Sequence, residues 1–444
     1  MTSTHSAAAP PQTTVKVADK DVRRIANAAF VGTALEWYDY YLFGTASALV
    51  FSRLFFSSLD PTAGVLASLA TFGVGFAARP IGAFIFGVLG DRIGRRPTLI
   101  MTIVLIGVAT GLIGLLPTYA VAGLWAPALL VTVRLLQGLA VGGEWGGATT
   151  MAIEHAPAKK RARYAALVQI GSPVGTLLSS GAFAFVLLLP SATFDAWGWR
   201  IPFLLAFPML LIALFIRLKV EESPVFEELL KSDQREKVPA LKVFTKAGGR
   251  LLVAVAAAFL GVGGFYVMNT FVVSYVANNL GLDKQIAVNA TLVAAVVQIV
   301  VIVLFGRVAE KIGPGRVTMW GGIATAIAAW PLFWLIDTRS PFAITLAVAM
   351  GIALLTVTYA VTGALLTELF PAQLRYSGVS LGYNIAGALS GFLPLIAAGV
   401  ISATGAKSAT PAVVILVIIS LITAVGGYIG EKLRVKDNTA VESA

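Results

Sequence analysis

The chain has 444 residues, of which 57% are apolar and only 12% charged, and its mean hydropathy is +0.85. A soluble domain carries about 25% charged residues, so this composition excludes a water-soluble protein and specifies one that crosses a bilayer many times. The net charge of +11 raises nucleic acid as a partner, but the positions of the basic residues explain it as membrane topology, and no nucleic-acid partner is expected. With no cysteine and two histidines, neither disulfides, thiol chemistry nor a catalytic metal site is expected, and no cofactor is called for.

Residues 1–26 have an Ala/Pro/Thr-rich start without an apolar run, which reads as a disordered tail and not as a signal peptide. Twelve apolar stretches of about 20 residues, the length a ~30 Å hydrocarbon core requires, follow. They lie near 27–51, 63–90, 98–117, 122–152, 163–189, 200–218, 250–276, 286–307, 316–336, 341–366, 377–402 and 409–430. Of the 33 Lys and Arg, 26 fall on the side of the N terminus, 5 fall in the opposite loops, and Arg79 and Arg134 lie inside spans. By the positive-inside rule both termini are cytoplasmic. Outside the tails the glycosylation pattern occurs once, at Asn289 within a span, so external glycosylation is not expected and a bacterial inner membrane fits.

Span 1, with the stretch EWYDYYLFG, contains Glu36 and Asp39. Each ionised side chain near the bilayer centre costs ~2.5–3.5 kcal/mol on insertion scales. At 1.5 Å per residue the two acids lie roughly 14 and 18 Å from the cytoplasmic face. Arg79 is at a similar depth in span 2 and Glu144 in span 4, while Arg134 sits in the outer third of span 4. Two readings stay open. The five groups can make static ion pairs between helices. Alternatively, three acids against two bases leave one carboxylate without a private partner, and that carboxylate can carry a proton. Pro80, directly after Arg79, frees the carbonyl of Phe76 and predicts a kink in span 2 beside its charge. Gly142, Gly143, Gly146 and Gly147 flank Glu144 and Trp145, and predict close helix approach. His155, in the loop after span 4, is expected at the surface. The spans of the second half offer only neutral polar groups, among them Tyr266, Asn269, Gln298, Tyr359, Tyr383 and Asn384.

Two patterns occur twice. GVLGDRIG (Gly87 to Gly94) returns as GRVAEKIG (Gly306 to Gly313) after 219 residues, and EHAPAKKR (Glu154 to Arg161) returns as ELFPAQLR (Glu368 to Arg375) after 214. The chain therefore reads as two six-helix halves in parallel repeat, 27–219 and 250–432, joined by a cytoplasmic linker at 220–249 and ending in a tail at 433–444. Such halves place the substrate between them at mid-depth.

GVLGDRIGRRPTL resembles the signature loop of the major facilitator superfamily. EWYDYYLFG, FAARPIG, RLLQGLAVGGEWGG, WGWRIPF, EESPVFEEL and ELFPAQLRYSG, in that order, resemble its metabolite:proton symporter family from Ala28 to about Gly430. The resemblance implies an all-α polytopic membrane protein of twelve helices in two pseudo-symmetric halves. It also implies a proton-coupled symporter, not an enzyme, that imports a small polar metabolite by alternating access. Shikimate, an oxo or dicarboxylic acid, or a zwitterion such as proline or betaine is the implied substrate. Within this reading Glu36, Asp39 and Glu144 are the candidates for proton coupling. Arg79, Arg134, Tyr40, Tyr266, Asn269, Tyr383 and Asn384 are the candidates for substrate binding. The family's cytoplasmic latch maps onto Gly87, Asp91, Arg92, Gly94, Arg95 and Arg96. The repeated loops add Glu154, Arg161, Glu310, Glu368 and Arg375 to the gate. The second copy has Gly315 and Arg316 where a doubled base is expected, which implies a weaker latch.

No phosphate-binding loop of the G-x-x-x-x-G-K-[ST] type is present, since TGAKSAT (Thr404 to Thr410) lacks the spacing, and GVGG (Gly261 to Gly264) lies inside a span. The partners expected are therefore a small molecule, a proton and the lipid bilayer, with the chain acting as a monomer. GSPVGT (Gly171 to Thr176) only partly matches the signature of a proton-driven exporter. A sensor on a transporter scaffold would need a larger soluble domain than the tails provide.

Overall fold

The computed structural model describes residues 19–93, 95–142, 144–145, 149, 161–218, 239–370, 372–405 and 408–434. These residues are helical apart from short turns, and the helices fall at the twelve expected spans. Among the described residues eight helices are long and apolar enough to cross a membrane, and Pro97–Ile113 and Trp125–Val141 are shorter apolar helices. Span 1 starts ahead of its expected boundary, at Asp19, and runs to Ala46. Part of the stretch expected as linker is also helical, from Pro239 to Lys246.

Proline sets most of the breaks, because each ring removes an N–H and frees the carbonyl four residues earlier. Span 2 divides into Pro61–Ala77 and Arg79–Ile93, so the kink expected at Pro80 is present beside Arg79. Span 5 divides at Ile170, three residues before Pro173, into Arg161–Gln169 and Gly171–Val186. In span 6, Pro208 interrupts the ladder between Arg200–Leu204 and Ala206–Leu218. In span 11, Pro394 separates Ala372–Ser390 from Leu393–Thr404.

Wide π turns occur at Ser47–Phe51 in span 1 and Tyr266–Phe271 in span 7, with further ones at Tyr275–Asn279 in span 7 and at Phe194–Gly198 ahead of Arg200–Leu204. Tyr266 follows Ser47 by 219 positions, the spacing of the repeated glycine loops. The internal repeat is thus visible in backbone geometry as well as in sequence. Span 7 has 72% of its apolar window inside the bundle and span 10 has 67%, against 33% for span 6. Spans 7 and 10 therefore belong to the centre and span 6 to the lipid-facing side. Across the junction of the halves Trp37 meets Phe265 at 5.9 Å and Tyr359 at 5.5 Å between ring centroids.

Glycine brings spans 2 and 4 to backbone contact. A Cβ on Gly138 would lie 1.9 Å from the carbonyl oxygen of Gly75, one on Gly82 1.9 Å from that of Leu139, and one on Gly142 2.0 Å from that of Arg79. The close approach expected of Gly142 is therefore present, while Gly143, Gly146 and Gly147 lie outside the described residues. GVGG serves the same purpose in span 7: a Cβ on Gly263 would lie 2.7 Å from the Ser390 hydroxyl, and one on Gly264 2.4 Å from the Leu355 side chain.

These contacts set a test of the packing. Ala is the better helix former by ~1 kcal/mol, yet at position 138 its methyl group meets backbone that cannot turn aside. Overpacking of this kind costs ~1–3 kcal/mol. Gly138→Ala is therefore expected to lower the melting temperature in detergent. Gly181→Ala, where nothing lies within 4 Å, is the control and should melt at or slightly above the wild-type temperature. Equal melting of the two variants would show that the seam tolerates a methyl group.

Candidate functional site

Span 1 presents Glu36, Asp39 and Tyr40 to its neighbours, all buried. Arg79, buried on span 2 just after the break at Ala78, donates from Nη2 to Glu36 Oε1 at 2.9 Å, and the Tyr40 hydroxyl, one turn along span 1, donates to the same oxygen at 2.9 Å. Asp39 points elsewhere. Its Oδ2 accepts from Arg134 Nη1 at 3.2 Å, and its Oδ1 accepts from the Thr110 hydroxyl at 2.6 Å and from the Gln137 amide. Arg134 also donates to Gln137 Oε1 at 3.2 Å, and its guanidinium lies 4.1 Å from the centroid of Phe43.

Glu144 corrects the charge count. Counting spans alone leaves three acids facing two bases, but Arg217 Nη2, in the last turn of the Ala206–Leu218 helix, donates to Glu144 Oε1 at 3.2 Å. Among the described residues the interior thus holds three ion pairs, in which Glu36, Asp39 and Glu144 each have a base. Arg217 is one of the 26 bases on the side of the N terminus, because it stands at the end of the apolar run of span 6. Its long side chain turns into the bundle, whereas an arginine near a helix end commonly carries its charged head outward to water. Gly32 makes room for this pair, since a Cβ there would lie 2.6 Å from Glu144 Oε1 and 3.2 Å from Arg217 Nη2. Gln137, Thr110 and Gly32 carried no signal of their own in the sequence.

The substrate candidates converge unequally. Arg79 lies under the rings of Tyr40 at 5.0 Å, Phe76 at 5.5 Å and Tyr383 at 5.8 Å. Its Nε and Nη1 are buried and have no hydrogen-bond partner among the described residues. Nη1 faces span 11 of the other half at Gly387, where a Cβ would stand 3.1 Å away. Tyr266 packs on Phe76 with 4.6 Å between centroids, and its hydroxyl, Asn269 Oδ1 and Asn384 Oδ1 are buried without partners among the described residues. Asn384 donates to Gly142 O at 3.0 Å and Ser380 O at 2.9 Å. Tyr383 stacks on Trp145 at 3.6 Å, and the Trp145 indole donates to Gln169. Arg134, by contrast, is committed to Asp39 and Gln137.

Contacts close this cluster on both sides. Toward the loops with the basic residues, Arg163 of span 5 donates to Glu310 of span 8 at 3.0 Å, which joins the halves. Glu368 pairs with Arg434 at 2.5 Å, and Arg434 also holds Glu431 at 2.8 Å, while Arg375 Nε donates to Thr367 O at 3.0 Å. On the opposite side Asn278 of span 7 donates to Ala48 O of span 1 at 3.1 Å, and Gly73 lies against Phe392. Of the other expected gate residues, Gly94 and Glu154 lie outside the described residues, as do the side chains of Gly87, Asp91, Arg92, Arg95, Arg96 and Arg161. His155 lies outside them as well.

A family model, the Major Facilitator Superfamily, matches residues 29–355 and 257–442. The chain is 38% identical over 388 residues to the shikimate transporter of Escherichia coli K12, covering 86% of this chain and 88% of that one. It is 32% identical over 396 residues to the proline/betaine transporter of the same organism, covering 87% and 79%. Among solved structures, the proton:xylose symporter XylE bound to 6-bromo-6-deoxy-D-glucose superposes with a TM-score of 0.72 over 93% of this chain and 95% of that one, at 19% identity. The helical bundle, the buried charges and these matches agree: the chain belongs to the major facilitator superfamily and is a multi-pass membrane transporter, not an enzyme.

Proposed function

We propose that this transporter is a proton-coupled symporter that imports a small carboxylate of the shikimate, oxo-acid or dicarboxylic acid kind by alternating access. The observation that carries the reading is Arg79. It is buried at the junction of the halves, with one nitrogen on Glu36 and two without hydrogen-bond partners among the described residues. A planar guanidinium in that condition can receive a carboxylate on two parallel N–H groups, a geometry that lysine does not reproduce. Protonation of Glu36 or Asp39 weakens an existing pair and releases an arginine. The anion then replaces the lost charge, so proton and substrate cross together and no charge is left buried alone. The match to the shikimate transporter supports this substrate class.

A zwitterion of the betaine or proline kind is the second reading. It is favoured by the rings of Trp37, Tyr40, Tyr41, Phe265 and Tyr359, which cluster with neighbouring centroids 5.4–5.9 Å apart, an arrangement that suits a cation. The proline/betaine relative supports it. In either case the halves are taken as 27–219 and 250–432, with both termini in the cytoplasm on the positive-inside count. Gly171 and Gly175 of the exporter-like stretch have a packing duty: a Cβ would lie 2.7 Å from Phe30 O and 2.5 Å from Ala34 O respectively.

Two measurements test the proposal. Arg79→Lys keeps the charge but loses the fork. A charge-assisted hydrogen bond is worth ~1.5–3 kcal/mol, so the half-saturation concentration for every carboxylate transported should rise at least about ten-fold. Unaltered affinity across shikimate, 2-oxoglutarate and proline would remove Arg79 as the clamp. Asp39→Asn should abolish uphill accumulation while counterflow exchange persists, since Arg134 retains Gln137 and the Phe43 ring. Proton-driven accumulation at the wild-type level in both Asp39→Asn and Glu36→Gln would place the carrier elsewhere.

A further inference from the structure

The Glu144–Arg217 pair makes no hydrogen bond to Arg79 among the described residues, and the carboxylate clamp proposed above does not use it. Span 1 shows what it is near. Gly32, against which Glu144 and Arg217 rest, is seven residues before Asp39, two turns along the same helix face or about 10 Å. Between them, at Leu35, is a cavity of about 10 Å³ lined by both carboxylates, Asp39 and Glu144, together with Thr110 and the apolar side chains of Leu35, Ile106 and Ala206. That volume is about what one ordered water needs, and such a water needs two to four polar partners. The polar groups in the lining are the two carboxylates, the Thr110 hydroxyl, which already donates to Asp39, and Tyr38, whose hydroxyl donates to Pro202 O. The charged groups around the cavity are few: Arg134 holds Asp39 from span 4, and Arg217 holds Glu144 from span 6. Glu36 is turned to Arg79 and Tyr40, at the junction of the halves.

We infer that Asp39 and Glu144 are two stations of one proton path that runs through this cavity inside the first six-helix half, apart from the route of the carboxylate at the junction. The inference rests on the proton-coupled reading above. The proton leaves the Asp39 carboxyl group for a water in the cavity, and that water gives a proton to the Glu144 carboxylate. Arg217 then loses its partner. Glu144 passes the proton on to water at the end of the bundle where the basic loops lie, and the pair with Arg217 re-forms. One O–H bond breaks and one forms at each transfer, and one proton crosses. Separate exits for proton and anion let the anion leave after the interior has returned to three neutral pairs.

The test uses the full chain in proteoliposomes with a pH-sensitive dye inside, and as probe whichever of shikimate, 2-oxoglutarate and proline the wild type exchanges. Ala206→Val fills the cavity with two methyl groups and changes no charge. The double variant Glu144→Gln, Arg217→Gln removes the pair without leaving a lone charge. Ala206→Val should exchange the probe within two-fold of the wild-type rate, while substrate-driven acidification falls at least ten-fold in both variants. Wild-type acidification in the two variants overturns the path. A wild type that exchanges the probe and moves no protons refutes the coupled reading itself, and the path falls with it.

Discussion

Arg79 has to keep a charge out of water in the middle of a bilayer, and the surrounding structure follows from how that is done. Its partner Glu36 comes from span 1, so spans 1 and 2 are tied at mid-depth. Pro80 opens the backbone at the place where the side chain leaves the helix, and Gly142 lets span 4 lie directly on the Arg79 carbonyl. Span 11 then approaches with Gly387, which leaves Nη1 room that any larger residue would take. A buried ion pair is a poor stabiliser, because desolvation offsets the attraction. That four helices are shaped around one such pair is better understood as provision for the state in which the pair is opened.

Under the proposed alternating access the halves move, and the backbone departs from a regular α-helix in spans 1 and 7. The wide turns of spans 1 and 7 hold their carbonyls in a looser ladder, and π turns are frequent at functional sites. They lie in equivalent positions of the repeat, and Asn278 of the second π segment in span 7, Tyr275–Asn279, contacts Ala48 within the π turn of span 1. Spans 2 and 4, by contrast, meet backbone to backbone through Gly75, Gly82, Gly138 and Gly142 and have no slack at all. Arg79 and Arg134 sit on this closely packed pair of spans, while their partners Glu36 and Asp39 sit on a span that passes into a π turn at Ser47–Phe51. Relative movement therefore acts on the distances between them.

Much of this was legible in the residues. The twelve spans follow from apolar length, the kink from Pro80, and the repeat from two short glycine and acid patterns. The buried acids and bases are visible because a charge in an apolar run has no neutral explanation. Less legible was who pairs with whom. Arg217 counts with the bases on the side of the N terminus because it stands at an apolar run's end, and depth along one helix says nothing about the direction in which a side chain folds back. Gln137 and Thr110 are ordinary polar residues in sequence, and only the fold shows that they complete the shell of Asp39. The loop residues Asp91 to Arg96 show the reverse case, since their pattern is plain in sequence and their side chains lie outside the described structure.

Under the proposed proton coupling, the pairing also limits what the transporter can accept. Had one carboxylate lacked a base, as the sequence count suggested, a proton alone would have balanced the interior and a neutral substrate could have followed it. With three acids on three bases the interior is already balanced. On that proposal a single added proton leaves one arginine in excess, and the anion is held at Nε and Nη1 of Arg79, which lack hydrogen-bond partners among the described residues. A neutral sugar brings no charge to offset that excess. A carboxylate does so outright, whereas a zwitterion does so only if its cation finds a separate place, and the aromatic rings around Trp37 are the surface that could provide one. Charge balance therefore separates neutral substrates from those with a carboxylate, and the choice between an acid and a zwitterion rests on those rings.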